Sequence, residues 1–180
     1  MSDINFENKT VVVTGAGNGL GKAYAMEFAK RGANVVVNDI GGSVDGAGSE
    51  NAPADIVVEE IKSNGGSAVA NYDSVATKEG GQSIIDTALN EFGSIHSVVN
   101  NAGILRDKSF AKMEEEDFNA IIDVHLKGTF FVCQPAFVQM KEQGFGRFVN
   151  VSSPSGLFGN FGQLNYGAAK MGIVGLTNVL

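Results

Sequence analysis

The chain reads as an α/β protein built on a doubly wound, Rossmann-type parallel sheet. Three observations carry that reading: short Val-rich runs, helix-like stretches between them, and a glycine cluster where the first run meets the first helix. The runs are TVVVT (10–14), NVVVN (34–38), SAVAN (67–71), HSVVN (96–100) and RFVNV (147–151). Continuous apolar runs of this length suit strands buried on both faces. The intervening stretches, about 20–31, 52–64, 78–92 and 114–142, have helical length. Strands alternating with such helices make right-handed βαβ units.

Each element has a local reason. The stretch 114–142 opens with EEED, which complements the positive end of a helix dipole. Phe118, Ile121, Ile122, Leu126 and Thr129 then recur at helical spacing. From residue 164, LNYGAAKMGIVGLTNVL is apolar almost all round after its first turn. A helix without a polar face is expected to be buried, in a core or against another subunit. GGSVDGAGSENAP (41–53) reads as a surface loop. No repeat or Pro-rich linker divides the 180 residues, so one domain over 1–180 is expected.

Composition excludes several function classes. A net charge of −7 gives no electrostatic footprint for nucleic acid. No apolar run approaches the ~20 residues of a membrane helix, and the N-terminal MSDINFENKT lacks a signal-peptide core. The single cysteine, Cys133 within TFFVCQPAF, fits a small buried hydrophobe better than a nucleophile. His96, His125 and Cys133 offer no metal-ligand spacing, so no metal is expected.

The glycine cluster is TGAGNGLG (14–21): Gly15, Gly19 and Gly21, with Leu20 between the last two and Gly17 as an extra. Between a strand and a helix, such glycines allow a tight turn and close approach of the backbone to a pyrophosphate. Asp39 ends the second strand, 24 residues after Gly15. A carboxylate there accepts from both ribose hydroxyls and repels a 2′-phosphate, which favours NAD over NADP. The alternative is a solvated Asp at a strand end.

Tyr166 and Lys170 stand four apart in GNFGQLNYGAAK (159–170). On a helix that spacing puts both on one face, where an ammonium favours the phenolate and makes a usable base. A half-buried Tyr beside a snorkelling Lys would leave the same spacing.

Together, TGAGNGLG, NNAG (100–103) and Tyr166-x-x-x-Lys170 resemble the short-chain dehydrogenase/reductase family. The resemblance implies that Ser153 completes a catalytic set with Tyr166 and Lys170, with Ser152 and Ser155 as rivals. It also implies that Asn101 and Ala102 line the adenosine side of the cofactor and that Asp73, Ser74 and Val75 lie near the adenine. VNDIGG, ANYDSV, VVNNAGILRDKSF, VHLKGTFFV and SGLFGNFGQLNYGAAK are similar, more particularly, to the (3R)-hydroxyacyl-CoA dehydrogenase domains of peroxisomal multifunctional enzymes. What this implies is NAD-dependent oxidation of an acyl-CoA substrate, a homodimer with the Tyr–Lys helix at its interface, and a peroxisomal location, or a cytoplasmic one in a bacterium. Another NAD-linked secondary-alcohol dehydrogenase, or a nucleotide-binding scaffold without turnover, would share much of the pattern. Two departures stand out. Many family members have Asn where this chain has His125, which either supports a relay water or fills space. The family pattern also continues through two further strands beyond the position of Leu180, so the sheet is expected to be incomplete at that end.

Overall fold

The computed structural model describes residues 4–46 and 52–180. Five parallel strands form one sheet in the order β3-β2-β1-β4-β5: β1 (Thr10–Thr14), β2 (Asn34–Asn38), β3 (Ser67–Asn71), β4 (Ser97–Asn100) and β5 (Arg147–Asn150). All pair in register, for instance Val12 with Val36 and with Val98. Helices α1 (Gly19–Lys30), α2 (Ala52–Ser63) and α3 (Lys78–Phe92) follow the first three strands. After β4 come α4 (Glu115–Ile121), a π-helical turn over Ile122–Lys127, and α5 (Gly128–Gln143). The short α6 (Pro154–Phe158) and then α7 (Leu164–Val179) follow β5.

Because side chains alternate along a strand, β1 supplies two cores. Val11 and Val13 pack with Val35, Val37, Ala25 and Ile61 beneath α1 and α2. Val12 faces the other way, with Val36, Ile84, Val98 and Val132 beneath α3 and α5. All three valines are fully buried, each contributing about 1.5–3 kcal/mol of transfer free energy.

The structure refines four expectations. The single helix expected over 114–142 is broken by the π-helical turn; its start is secured by a capping box between Glu114 and Asp117. β4 begins at Ser97 and β5 ends at Asn150, a residue inside each expected range. Part of the expected loop 41–53 lies outside the described residues, and α2 already begins at Ala52. The helix α7, expected to be buried, is only half so: Ala169, Lys170 and Ile173 are covered, while Leu164 and Met171 are exposed.

Candidate active site

Strand order reverses between β1 and β4, and in open parallel sheets that is where a crevice opens beyond the carboxyl ends. The residues singled out in the sequence follow the C-terminal ends of the five strands: Gly15 after β1, Asp39 after β2, Asp73–Val75 after β3, Asn101 and Ala102 after β4, Ser152 and Ser153 after β5. Tyr166 and Lys170 come to the same end on α7.

The glycine turn is held from three sides. Gly15 has φ +63°, and a β-carbon there would lie 2.7 Å from the Ala102 Cα. At Gly21 a β-carbon would fall 2.0 Å from the Gly15 carbonyl oxygen, so only glycine lets α1 start so close to the turn. Asn18 caps α1, its side-chain oxygen accepting from the Gly19 N–H at 3.1 Å. Gly19 has φ +52° and open space where a side chain would stand, and Leu20 beside it is exposed. Open backbone at a helix N-terminus fits a pyrophosphate, so the residues present suit a dinucleotide.

Asp39 works inside this cradle. Its two carboxylate oxygens accept from the Gly17 and Gly41 N–H groups, each at 2.7 Å. The supernumerary glycine of the motif is therefore needed: a β-carbon on Gly17 would sit 2.9 Å from that carboxylate. Asn101 is committed to structure too. Its amide donates to the Thr14 and Gly15 carbonyls, each at 3.1 Å. The Thr14 hydroxyl in turn accepts from the N–H groups of Asn101 and Ala102. Asp73 accepts from the Asn71 amide at 3.0 Å and the Ser83 hydroxyl at 2.7 Å. The Ser74 hydroxyl accepts from the Ala76 N–H, and Val75 is buried against Gly128.

At the other side of the crevice, Lys170 is 3 % exposed. Its Nζ donates to the Val151 carbonyl at 2.6 Å and lies 5.5 Å from the Tyr166 ring centre. Burial pulls this lysine down to a pKa of about 8. Asn165, fully buried, donates to the carbonyls of Arg106 and Asp117, tying α7 to the loop after β4 and to α4.

The three serines are now distinguishable. Ser152 donates to the Lys170 carbonyl at 2.8 Å, and Ser155 donates to Gln163 at 2.8 Å. Ser153 caps α6, accepting from the Ser155 N–H at 3.2 Å, which leaves its hydroxyl proton to give. A β-carbon on Gly156 would lie 2.8 Å from the Met171 nitrogen, so α6 rests directly on the turn of α7 that carries Lys170.

Sequence reasoning passed over Thr14 and Asn165, noted Gly17 only as an extra glycine, and left His125 between two roles. His125 is buried, and its ring meets Tyr166 edge-to-face with centres 5.2 Å apart. Beside α7 a hollow of about 290 Å³ is bordered by Lys108, Phe110, Phe161, Leu164 and Gly167. A larger one, about 580 Å³, lies between the ends of α1 and α2, and no nucleotide or catalytic candidate lines it. Among the described residues no acidic, His and Cys cluster could hold a metal, and no helix is long and apolar enough to cross a membrane.

Residues 9–180 match the family model described as short chain dehydrogenase. The chain is 56% identical over 178 residues to the peroxisomal hydratase-dehydrogenase-epimerase of Saccharomyces cerevisiae, covering 99% of this chain and 20% of that protein. A short-chain type dehydrogenase/reductase of Mycobacterium tuberculosis is 58% identical over 174 residues, 97% of this chain and 61% of its own length. The crystal structure of a short chain dehydrogenase from Mycobacterium avium superposes with a TM-score of 0.88 at 45% identity, over 97% of this chain and 62% of that one. The chain thus spans from a fifth to about three fifths of the length of these relatives.

Proposed function

The chain belongs to the short-chain dehydrogenase family, and from that premise we propose that it oxidises a (3R)-3-hydroxyacyl-CoA to the 3-oxoacyl-CoA with NAD, within fatty-acid β-oxidation. NAD, held by the glycine turn and Asp39, would supply the hydride acceptor. Tyr166 takes the alcohol proton, while Lys170 would hold the nicotinamide ribose. Ser153 donates to the substrate oxygen, where negative charge develops.

One observation carries this reading: a lysine kept 3 % exposed, with a backbone carbonyl and no carboxylate as its partner among the described residues, beside a tyrosine ring. Burying a charge without a counter-ion is costly, and such an arrangement is characteristic of functional sites. Asp39 supports NAD over NADP, since a 2′-phosphate at the end of β2 would face its carboxylate. The hollow beside α7, with Phe110 and Phe161 on its rim, supports an apolar acyl chain. The yeast relative's name joins dehydrogenase to hydratase and supports a dehydrogenase activity and a peroxisomal location.

Assembly follows from exposed apolar surface. Phe130, Phe137 and Val138 form one stripe along α5, and Leu164 and Met171 another along α7. Pairing these stripes across a two-fold axis gives a homodimer with α7 at its interface. The deciding experiment incubates the full protein with NAD and a (3R)-hydroxyacyl-CoA and follows NADH. Rapid NADH formation with this substrate, and little with the (3S) epimer or with NADP, is expected; equal rates with both epimers would overturn the substrate assignment.

A further inference from the structure

We infer that His125 is a positioning residue for Tyr166: anchored through Nε2 to the Ile104 peptide, its imidazole holds the tyrosine ring in its working orientation. The inference rests on the reading of Tyr166 as the base.

Four observations converge on the ring. The two ring planes stand at 86°, so His125 meets Tyr166 as an edge-to-face pair rather than by loose contact. Nε2 lies 2.8 Å from the Ile104 carbonyl oxygen and 3.1 Å from the Ile104 nitrogen. In one tautomer it donates to the oxygen, in the other it accepts from the N–H, and both anchor the imidazole to the same peptide. The next residue back, Gly103, closes the other side. A β-carbon there would fall 2.4 Å from Cε1, so the loop after β4 reaches the ring only because residue 103 has no side chain.

His125 also sits in the π-helical turn, whose wider winding interrupts the helical path between α4 and α5. Such turns are rare and concentrate at functional sites. The Thr129 hydroxyl donates to the His125 carbonyl at 2.7 Å, bracing that backbone.

The polar ring is not explained by filling space. Nδ1 is buried with no partner among the described residues, a defect that an apolar side chain would avoid. Burial and the nearby Lys170 charge push the histidine down to a pKa of about 4. The ring is therefore uncharged at neutral pH and does not repel Lys170.

The test uses ring-labelled tyrosine in the full protein, with Tyr166 identified among the three tyrosines by its loss in Tyr166→Phe. The two edges of the Tyr166 ring are expected to give separate NMR signals, reporting a slow ring flip. His125→Leu should merge them and lower kcat about tenfold or more, with KM for NAD changed by less than about twofold. His125→Phe, which keeps a ring but loses the Nε2 anchor to Ile104, should also merge the signals and lower kcat. Unaltered signals and kcat in His125→Leu, a freely flipping ring in the parent, or separate signals with full kcat in His125→Phe would each overturn the inference. If His125→Leu does not fold, His125→Phe decides by the same signals. Should Tyr166→Phe keep full turnover, the reading of Tyr166 as base fails, while the ring-flip comparison still judges what His125 does to Tyr166.

Discussion

The two sides of the crevice are built by opposite means. On the side proposed to hold the cofactor, from β1 to the turn after β4, backbone does the work: glycines without side chains, carbonyls gripped by Asn101, amides gripped by Asp39. Its buried side-chain polar atoms have partners among the described residues, and β1, β2 and β4 are covered on both faces. On the catalytic side, Lys170 and Asn165 are buried on α7, and His125 packs against Tyr166 with one nitrogen unpaired. β5 lies at the sheet edge with Val149 exposed. The first side is preorganised at little cost, since each hydrogen bond replaces one to water. The second keeps buried polar groups that weaken the fold, as expected of side chains proposed to meet a substrate.

The largest effect should come from the catalytic side. Tyr166→Phe removes the proton acceptor and keeps the ring, so turnover should fall by roughly 10²–10⁴ with NAD affinity nearly unchanged. Steady-state kinetics with a parallel NAD titration checks this, and activity within about tenfold of the parent would remove Tyr166 from the role.

Gly21→Ala attacks the other side where it has no slack. The added methyl meets the Gly15 carbonyl, so the turn must open, and NAD binding should be lost with folding weakened by several kcal/mol, on the order of an overpacked core site. Gly19→Ala, into open space but at φ +52°, should cost only about 1 kcal/mol. Denaturant unfolding of the pair measures the contrast; equal losses would mean that close approach does not govern the turn.

Asp39→Ala should weaken NAD binding about ten- to a hundredfold, the range for hydrogen bonds to a charged group, and narrow the preference over NADP. Fluorescence titration with both cofactors reads it. An unmoved affinity ratio would place the ribose elsewhere.

The smallest effect has the more informative sign. Lys170 is lowered in the fold to about 8 from its usual 10.5, so between those values the unfolded chain binds more protons. Stability from this group therefore rises as pH climbs from about 8 to 10.5, and below 8 the buried charge weighs against folding. Lys170→Met should raise stability near pH 7 by about 1–2 kcal/mol after loss of the bond to Val151, and flatten the alkaline rise. Thermal melts across that range would show it. A less stable Met variant at pH 7 would mean that the ammonium is not destabilised by burial.

Local sequence determined the βαβ alternation, the strand positions to within a residue, the glycine turn and the Tyr–Lys pair, because each depends on contacts within a few positions. Valine runs bury wherever they fall in a parallel sheet, and positions four apart on a helix share a face whatever surrounds them. Tertiary structure alone decided what joins distant segments. The bond from Gly17 to Asp39 spans 22 residues and that from Asn101 to Thr14 spans 87, and neither distance has a signature in composition or periodicity. The π-helical turn belongs to the same class. Nothing in IDVHLK departs from helical spacing, and the ring that this turn carries acquires its contacts only from Gly103 and Ile104 after β4 and from Tyr166 on α7. Which serine is free was likewise undecidable along the chain. Ser152, Ser153 and Ser155 differ little as residues, and it is the packing of α6 on α7 that engages the hydroxyls of the first and last as donors and leaves Ser153 a proton to give.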